Sequence, residues 1–406
     1  MTSGTNGPPA APRRVFLHVG SPKTGTTFLQ EVLWSHKEQA AEQGLLLPGE
    51  RFADHYLASL DVRDVASRPE HPPRAQGMWD NLVEESLGWS GTVLVSHELF
   101  ASATKEQVQR ALASFGDDTE AHVVLTARDL VRQMSAEWQE HVKHRSTKTF
   151  EEFVAGIRGD KRRNSWFWRV QDFADVVDRW GSALEPSRVH VVTVPPATSP
   201  PETLWLRFAT LLGLDPATFD TAVSRANTSL GVEQAELLRR VNLQLGERLP
   251  LPGPYPTVVK NVLAHRILAG HQGTRLALSP SDTEYAVEQS RAIADRLAAM
   301  GVDVVGELDE LVPDLAEAAR GASEAAYDAP STEVLLDESL EALAELLVVL
   351  NQRIRSERRA AELLADVRRT PVRHAIVGAT EHRPALAKAH RLYQRGKGLL
   401  RRGADD

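Results

Sequence analysis

The sequence predicts an α/β fold: a three-layer sandwich around a central parallel sheet, with a P-loop-like phosphate cradle near its start and a helical C-terminal extension. Three observations carry this. Residues 14–34, RVFLHVGSPKTGTTFLQEVLW, run from a short apolar segment through a Gly-bounded turn into an amphipathic helix. Further apolar runs follow at Val93–Val95, Ala121–Ala127 and Arg188–Val194, each succeeded by a helical pattern or a Pro-rich turn and helix. Beyond Leu230, residues 234–245, 258–301 and 308–319 read as helical, with Pro280 and Pro313 as candidate breaks.

In the first unit, Val15, Phe16, Leu17 and Val19 read as a buried strand, and Phe28, Leu29, Val32 and Leu33 as the inward face of the helix. Gly20 and Gly25 bracket the loop between them, with Thr26 and Thr27 at the mouth of the helix. Backbone N–H groups in such a loop, backed by the positive end of the helix dipole, suit an anionic oxygen cluster, and Lys23 adds a point charge. The nucleotide-triphosphate loop GxxxxGK[ST] places its Lys directly after the second Gly. Here Thr26 holds that place and the only Lys lies inside the loop, which disfavours a kinase.

The chain continues with GLLLPG at 44–49, a candidate short strand, and a Pro-punctuated stretch from Arg51 to Trp79 in which His55 reads as a surface or core histidine. The strand at 93–95 is followed by Ser96, His97 and Glu98. Open parallel sheets bind ligands outside the carboxyl ends of their strands, which puts His97 and Glu98 near Lys23 as alternative general bases. A metal-binding acid would directly follow the apolar run, and Ser96 stands there instead. The next strand, AHVVLTA, runs into Arg128, with Arg132 and Ser135 on the helix after it. An Arg fork with a hydroxyl suits a phosphate monoester. A basic run from Lys143 to Arg163 reads as a solvated face or a rim that attracts anions, and Trp166, Phe167 and Trp168 as core or an acceptor wall.

The PKTGTT loop, with these later segments, resembles the sulfotransferases that use 3′-phosphoadenosine 5′-phosphosulfate (PAPS), and in particular their bacterial and carbohydrate-type branch. The resemblance covers residues 14–245, with specific motifs at three places. It implies that Pro22, Lys23, Thr24, Gly25, Thr26 and Thr27 form the 5′-phosphosulfate loop, with Lys23 beside the bridging oxygen of the donor. It implies that Arg128 and Ser135 hold the 3′-phosphate, and that Glu98, ahead of His97, takes the proton of the acceptor hydroxyl. The acceptor would be a glycan, a lipid-linked sugar or another small molecule, with no metal required. RDLVRQ departs from the family's R-[ND]-P-x-[DE], and the late RKGxxGDW loop is missing; Arg225, Asn227 and Ser229 are the polar residues placed at the nucleotide. Two other readings stay open: a kinase with an atypical loop, and a non-catalytic scaffold that keeps the fold.

Composition frames these assignments. The 406 residues include no Cys, which excludes thiolate metal sites and cysteine nucleophiles together, and the N-terminal 13 residues are polar, Pro/Gly-rich and expected to be disordered. With no apolar run of membrane-spanning length, the chain reads as cytoplasmic. After the 14–320 domain and a 321–331 linker, residues 332–364 carry heptad-like apolar spacing that would suit a homodimer seam. From Asn351 onward 14 Lys and Arg face 6 Asp and Glu, so a basic tail follows a body of charge −16. Such a tail suits an anionic membrane surface; an acidic core argues against nucleic acid.

Overall fold

A computed structural model of the chain describes residues 13–159, 165–223, 229–319 and 330–369. Six parallel strands form one sheet in the order β2-β3-β1-β4-β5-β6. The central strand β1 (Arg13–Gly20) leads into α1 (Thr26–Ser35) and α2 (Lys37–Glu42), then to the short edge strand β2 (Leu45–Leu46). The Pro-punctuated stretch folds as α3 (Asp54–Val62), a 3₁₀ turn and α4 (Met78–Leu87), which return the chain to β3 (Thr92–Ser96). After α5 (Lys105–Ala113), β4 (Thr119–Ala127) pairs with the other side of β1. Helices α6 (Leu130–Lys143), α7 (Phe150–Arg158), α8 (Trp166–Gln171) and α9 (Phe173–Gly181) precede β5 (Val189–Thr193), and α10 (Thr203–Leu211) and α11 (Val232–Leu245) follow it.

Burial on both faces explains why the strands read as unbroken apolar runs. Phe16, Leu94, Val124 and Val192 share one face and pack with Leu29, Val32 and Leu33 of α1 and Leu204, Trp205 and Phe208 of α10. α9 packs on β4, and α12 (Pro280–Met300) on α6 and α9; none of these three helices enters that cluster. In register, Leu17 stands beside Val95 and Val123, and His18 beside Ser96 and Val124. Between His18 and Gly20 the register with β4 shifts, where the strand gives way to the loop.

The C-terminal half departs from the expected run of helix between Val258 and Gly301. Pro256–Ile267 is a π-helix, a 3₁₀ turn reaches Gly270, and extended chain follows to Ser279. Pro280 begins α12 rather than breaking a longer helix: its missing N–H costs nothing at the first position, and Ser279 Oγ accepts from the Asp282 amide at 3.2 Å. A sixth strand, β6 (Asp303–Val305), escaped the sequence reading because it is three residues long and partly polar. It is held on β5 by pairing and by His190 Nδ1 and Asp303 Oδ2, 2.7 Å apart, and the Arg207–Glu310 ion pair follows it at 2.7 Å. Of the expected 308–319 helix, Leu308–Leu311 is 3₁₀ and α13 (Leu315–Ala319) starts after Pro313.

Residues up to Glu338 form one compact unit and the chain from Ser339 a second. α14 (Thr332–Arg369) is longer than the 332–364 expected, and Leu340, Leu343, Leu347, Leu350 and Ile354 on it are exposed. Most of the expected disordered N-terminus and linker, and the basic tail from 370, lie outside the described residues. No helix among the described residues is long and apolar enough to cross a membrane.

Phe208 is fully buried and its ring lies 4.8 Å from that of His18. Phe208→Ala should therefore cost about 3–5 kcal/mol, read as a lower urea midpoint with an unchanged slope.

Candidate functional site

The loop after β1 is shaped by left-handed backbone at Gly20 (φ 93°), Lys23 (φ 65°) and Gly25 (φ 87°). A Cβ on Gly20 would stand 2.5 Å from the Glu98 Cα, so this close approach also needs glycine. Two of the loop's carbonyls, those of Ser21 and Pro22, are drawn inward. Ser21 O accepts from Thr24 Oγ1 at 2.5 Å, and Pro22 O from the side-chain amides of Gln133 at 2.9 Å and Gln171 at 3.1 Å. Gly25 caps α1, and its carbonyl accepts the first helical bond from the Leu29 amide at 3.2 Å. The amides of Thr26, Thr27 and Phe28 thus have no acceptor within the helix, and no acidic side chain lies in its first turn.

Beneath the loop runs a line of buried polar groups. Gln30 Nε2 donates to Ser96 Oγ (3.1 Å), Ser96 Oγ meets His18 Nδ1 (2.7 Å), and His18 Nε2 meets Thr126 Oγ1 (3.3 Å). Thr126 Oγ1 in turn lies 2.5 Å from Thr24 Oγ1. Burial, and secondarily the charge of His97, push His18 down to about 3, so it is a neutral bridge. Thr24 is therefore spent on anchoring the loop from below.

Pro22, Lys23, Gly25, Thr26 and Thr27 line a cleft of about 1140 Å³ together with His97, Glu98 and Arg128. The loop after β3 brings its pair in from the neighbouring strand end. Glu98 Oε2 accepts from Thr26 Oγ1 at 3.3 Å and lies 4.0 Å from His97 Nε2. His97 caps the following 3₁₀ turn, its Nδ1 accepting from the Leu99 amide at 3.2 Å; the neutral ring therefore carries its proton on Nε2. Burial lowers its pKa and the Glu98 charge opposes that. His55 is a core histidine, its Nε2 on Pro48 O (2.9 Å) and its Nδ1 accepting from the Ser96 amide (3.1 Å).

Arg128, from the end of β4, donates from Nη2 to Arg132 O at 2.7 Å, and its buried Nε has no partner among the described residues. Burial, then the charge of Arg132, lowers it to about 10, and it stays cationic. Arg132 is engaged elsewhere, paired to Asp129 and donating to Pro195 O at 3.1 Å. Ser135 is buried on α6 and is not among the residues lining the cleft. Of the three aromatics, only Trp166 lines it; Phe167 and Trp168 are buried. Ser229 lines it too, while Arg225, Asn227 and Lys161 to Arg163 lie outside the described residues.

Several lining residues were not foreseen. Glu140 on α6 bridges Lys23 Nζ at 2.5 Å and Lys260 Nζ, from the π-helix, at 2.8 Å. The two lysines hold its carboxyl well below the usual range despite its burial. Glu137, one turn earlier, is pushed up to about 7 by burial, against the pull of Lys23. The i, i+3 spacing of Glu137 and Glu140 puts the two carboxylates on one face of α6, but nothing in the sequence says that this face meets the cleft or links Lys260 to them. Comparison with protein-family models, with curated proteins and with solved structures finds no match to this chain.

Glu137 supplies a pH test. Between its ordinary value of 4.5 and about 7 the folded chain keeps a proton that the unfolded chain releases, so stability falls as the pH rises through that window. The loss is of order 3 kcal/mol, complete above pH 7. Glu137→Gln should match the parent at pH 4.5 and exceed it at pH 7.5 in urea unfolding; parallel pH profiles would count against the raised pKa.

Proposed function

We propose that this chain transfers a sulfuryl group from PAPS to a hydroxyl, in a three-layer α/β domain whose first loop is the phosphate cradle. The observation that carries the reading is the loop itself. Its Ser21 and Pro22 carbonyls are tied inward, the amides of Thr26, Thr27 and Phe28 have no partner within α1, and a Lys and a carboxylate share the cleft with them. Such an arrangement suits transfer by positioning and charge stabilisation.

In this reading the amides of Thr26 and Thr27 hold the 5′-phosphate, and Lys23 exchanges Glu140 for the bridging oxygen, where charge builds. The acceptor oxygen attacks sulfur, the S–O bond to the phosphate breaks, and adenosine 3′,5′-bisphosphate leaves. The acceptor proton goes to Glu98. His97 is the poorer base, because its Nδ1 is occupied by the Leu99 amide and its Nε2 already carries a proton in the neutral ring. Arg128, with an unpartnered Nε, is the group for the 3′-phosphate; Ser135 enters only if α6 shifts. The acceptor is a small molecule, glycan or lipid-linked sugar, and the reading places the reaction in the cytoplasm.

Thermal unfolding with adenosine 3′,5′-bisphosphate, AMP and ATP tests the donor. The bisphosphate at a hundredfold its Kd should stabilise by about 2.7 kcal/mol, with or without Mg²⁺. A shift for ATP alone, dependent on Mg²⁺, would instead indicate a kinase, and none at all a scaffold. Glu98→Gln should lower sulfuryl transfer from PAPS, across a panel of hydroxyl acceptors, by roughly 10²–10⁴-fold while the bisphosphate binds as before. The same loss from His97→Ala, with Glu98→Gln active, would reverse the assignment.

A further inference from the structure

One wall of the cleft carries positive charge that sulfuryl transfer from PAPS leaves unused. Ala136, Glu137, Glu140 and Lys143, at successive turns of α6, and His144, which caps it, line the cleft. Lys143 is 6% exposed and lines the cleft, and among the described residues its ammonium makes no hydrogen bond and no ion pair; the stem is enclosed while the ammonium, unlike Arg128 Nε, opens onto the cleft. A cation held at the end of a largely buried side chain, with little water around it and no counterion, is costly, and an anion in the cleft would offset that cost.

The neighbours do not neutralise it. Lys23, Lys143 and Lys260 share one firmly ionised carboxylate, Glu140, which already bridges the other two. His144 Nε2 lies 2.9 Å from Lys260 Nζ and acts as its acceptor, so that ring is neutral. His265 is pushed down to about 4 by burial and then by Lys143 and Lys260, and brings no charge. Burial, then Lys23, lowers Lys143 itself to about 8, which leaves it mostly protonated at pH 7. The backbone contributes as well. Lys260 and His265 are five residues apart, a spacing that an α-helix would spread to different faces, and the i→i+5 winding of Pro256–Ile267 lets both line the cleft.

Once Lys23 turns to the donor, Glu140 and Lys260 form a balanced pair and Lys143 stands alone. We propose that Lys143, flanked by Lys260 and His265, is a second anion subsite, and that the acceptor carries a carboxylate, sulfate or phosphate group that docks there beside the hydroxyl to be modified. The word acceptor rests on the sulfuryl-transfer reading; the subsite does not.

The test is isothermal titration of inorganic sulfate into the full chain saturated with adenosine 3′,5′-bisphosphate. Sulfate should bind, Lys143→Gln should weaken it at least tenfold, and Lys143→Arg should keep it within about threefold. Bisphosphate affinity should stay within about twofold in both variants, which also shows that they fold. Absence of sulfate binding, or binding indifferent to Lys143→Gln, overturns the subsite. A parallel loss of bisphosphate affinity in Lys143→Gln also overturns it, because the lysine then serves the donor's own phosphates. If the bisphosphate does not bind the parent chain, the donor reading fails, and the same comparison of sulfate affinities in the free chain decides the subsite.

Discussion

The cleft depends on the buried polar line from Gln30 through Ser96, His18 and Thr126 to Thr24. It ties the carboxyl ends of β3, β1 and β4 together at the point where each strand gives way to a loop that lines the cleft. A neutral histidine can bridge two hydroxyls without carrying charge into the core, and full burial holds His18 in that state. Because Thr24 completes the line, the loop above it is fastened from below, while the amides of Thr26, Thr27 and Phe28 keep no acceptor within α1. The sheet order makes the line possible: β1 has β3 on one side and β4 on the other, so three loops converge over one strand end.

Above this floor the electrostatics are set by scarcity of anions. Glu140 is shared between Lys23 and Lys260, Glu137 is pushed toward its neutral form by burial, and Glu98 is engaged by Thr26. The cleft therefore waits with an excess of cations, some of them buried. That excess lies within a body whose overall charge is strongly negative, so an anionic ligand is attracted by a local field rather than by the net charge of the protein. The Lys23–Glu140 contact also has a dynamic meaning in the proposed reaction: one ion pair is exchanged for another, which costs less than stripping a free ammonium of water.

The fold was largely legible because most of its strands are buried on both faces and its helices on one, which writes the periodicity into the residue types. β1, β3, β4 and β5 were all marked by apolar runs, and the loop by its two glycines. β6 and the π-helix were not. The first is too short to have a period, and the second has a winding that apolar spacing does not announce. The site was legible where residues are neighbours in sequence, as with the 22–27 loop and the His97–Glu98 pair. It was not legible where partners come from 120 residues away, as with Glu140 and Lys260.

The sequence by itself determined the parallel α/β class, the position of the loop at the end of the first strand, and the residues that the next strand ends would deliver. Local rules suffice for these, since strand, turn and helix are fixed by residues within one or two turns of each other. Only the tertiary structure decided which side chains in those segments face the cleft. It turned Arg128 inward and Arg132 aside, buried Thr24 and Ser135, and set Lys143 without a counterion beside a shared Glu140. The direction of a side chain and the count of charges around it are sums over elements distant in sequence, and they exist only once those elements have packed.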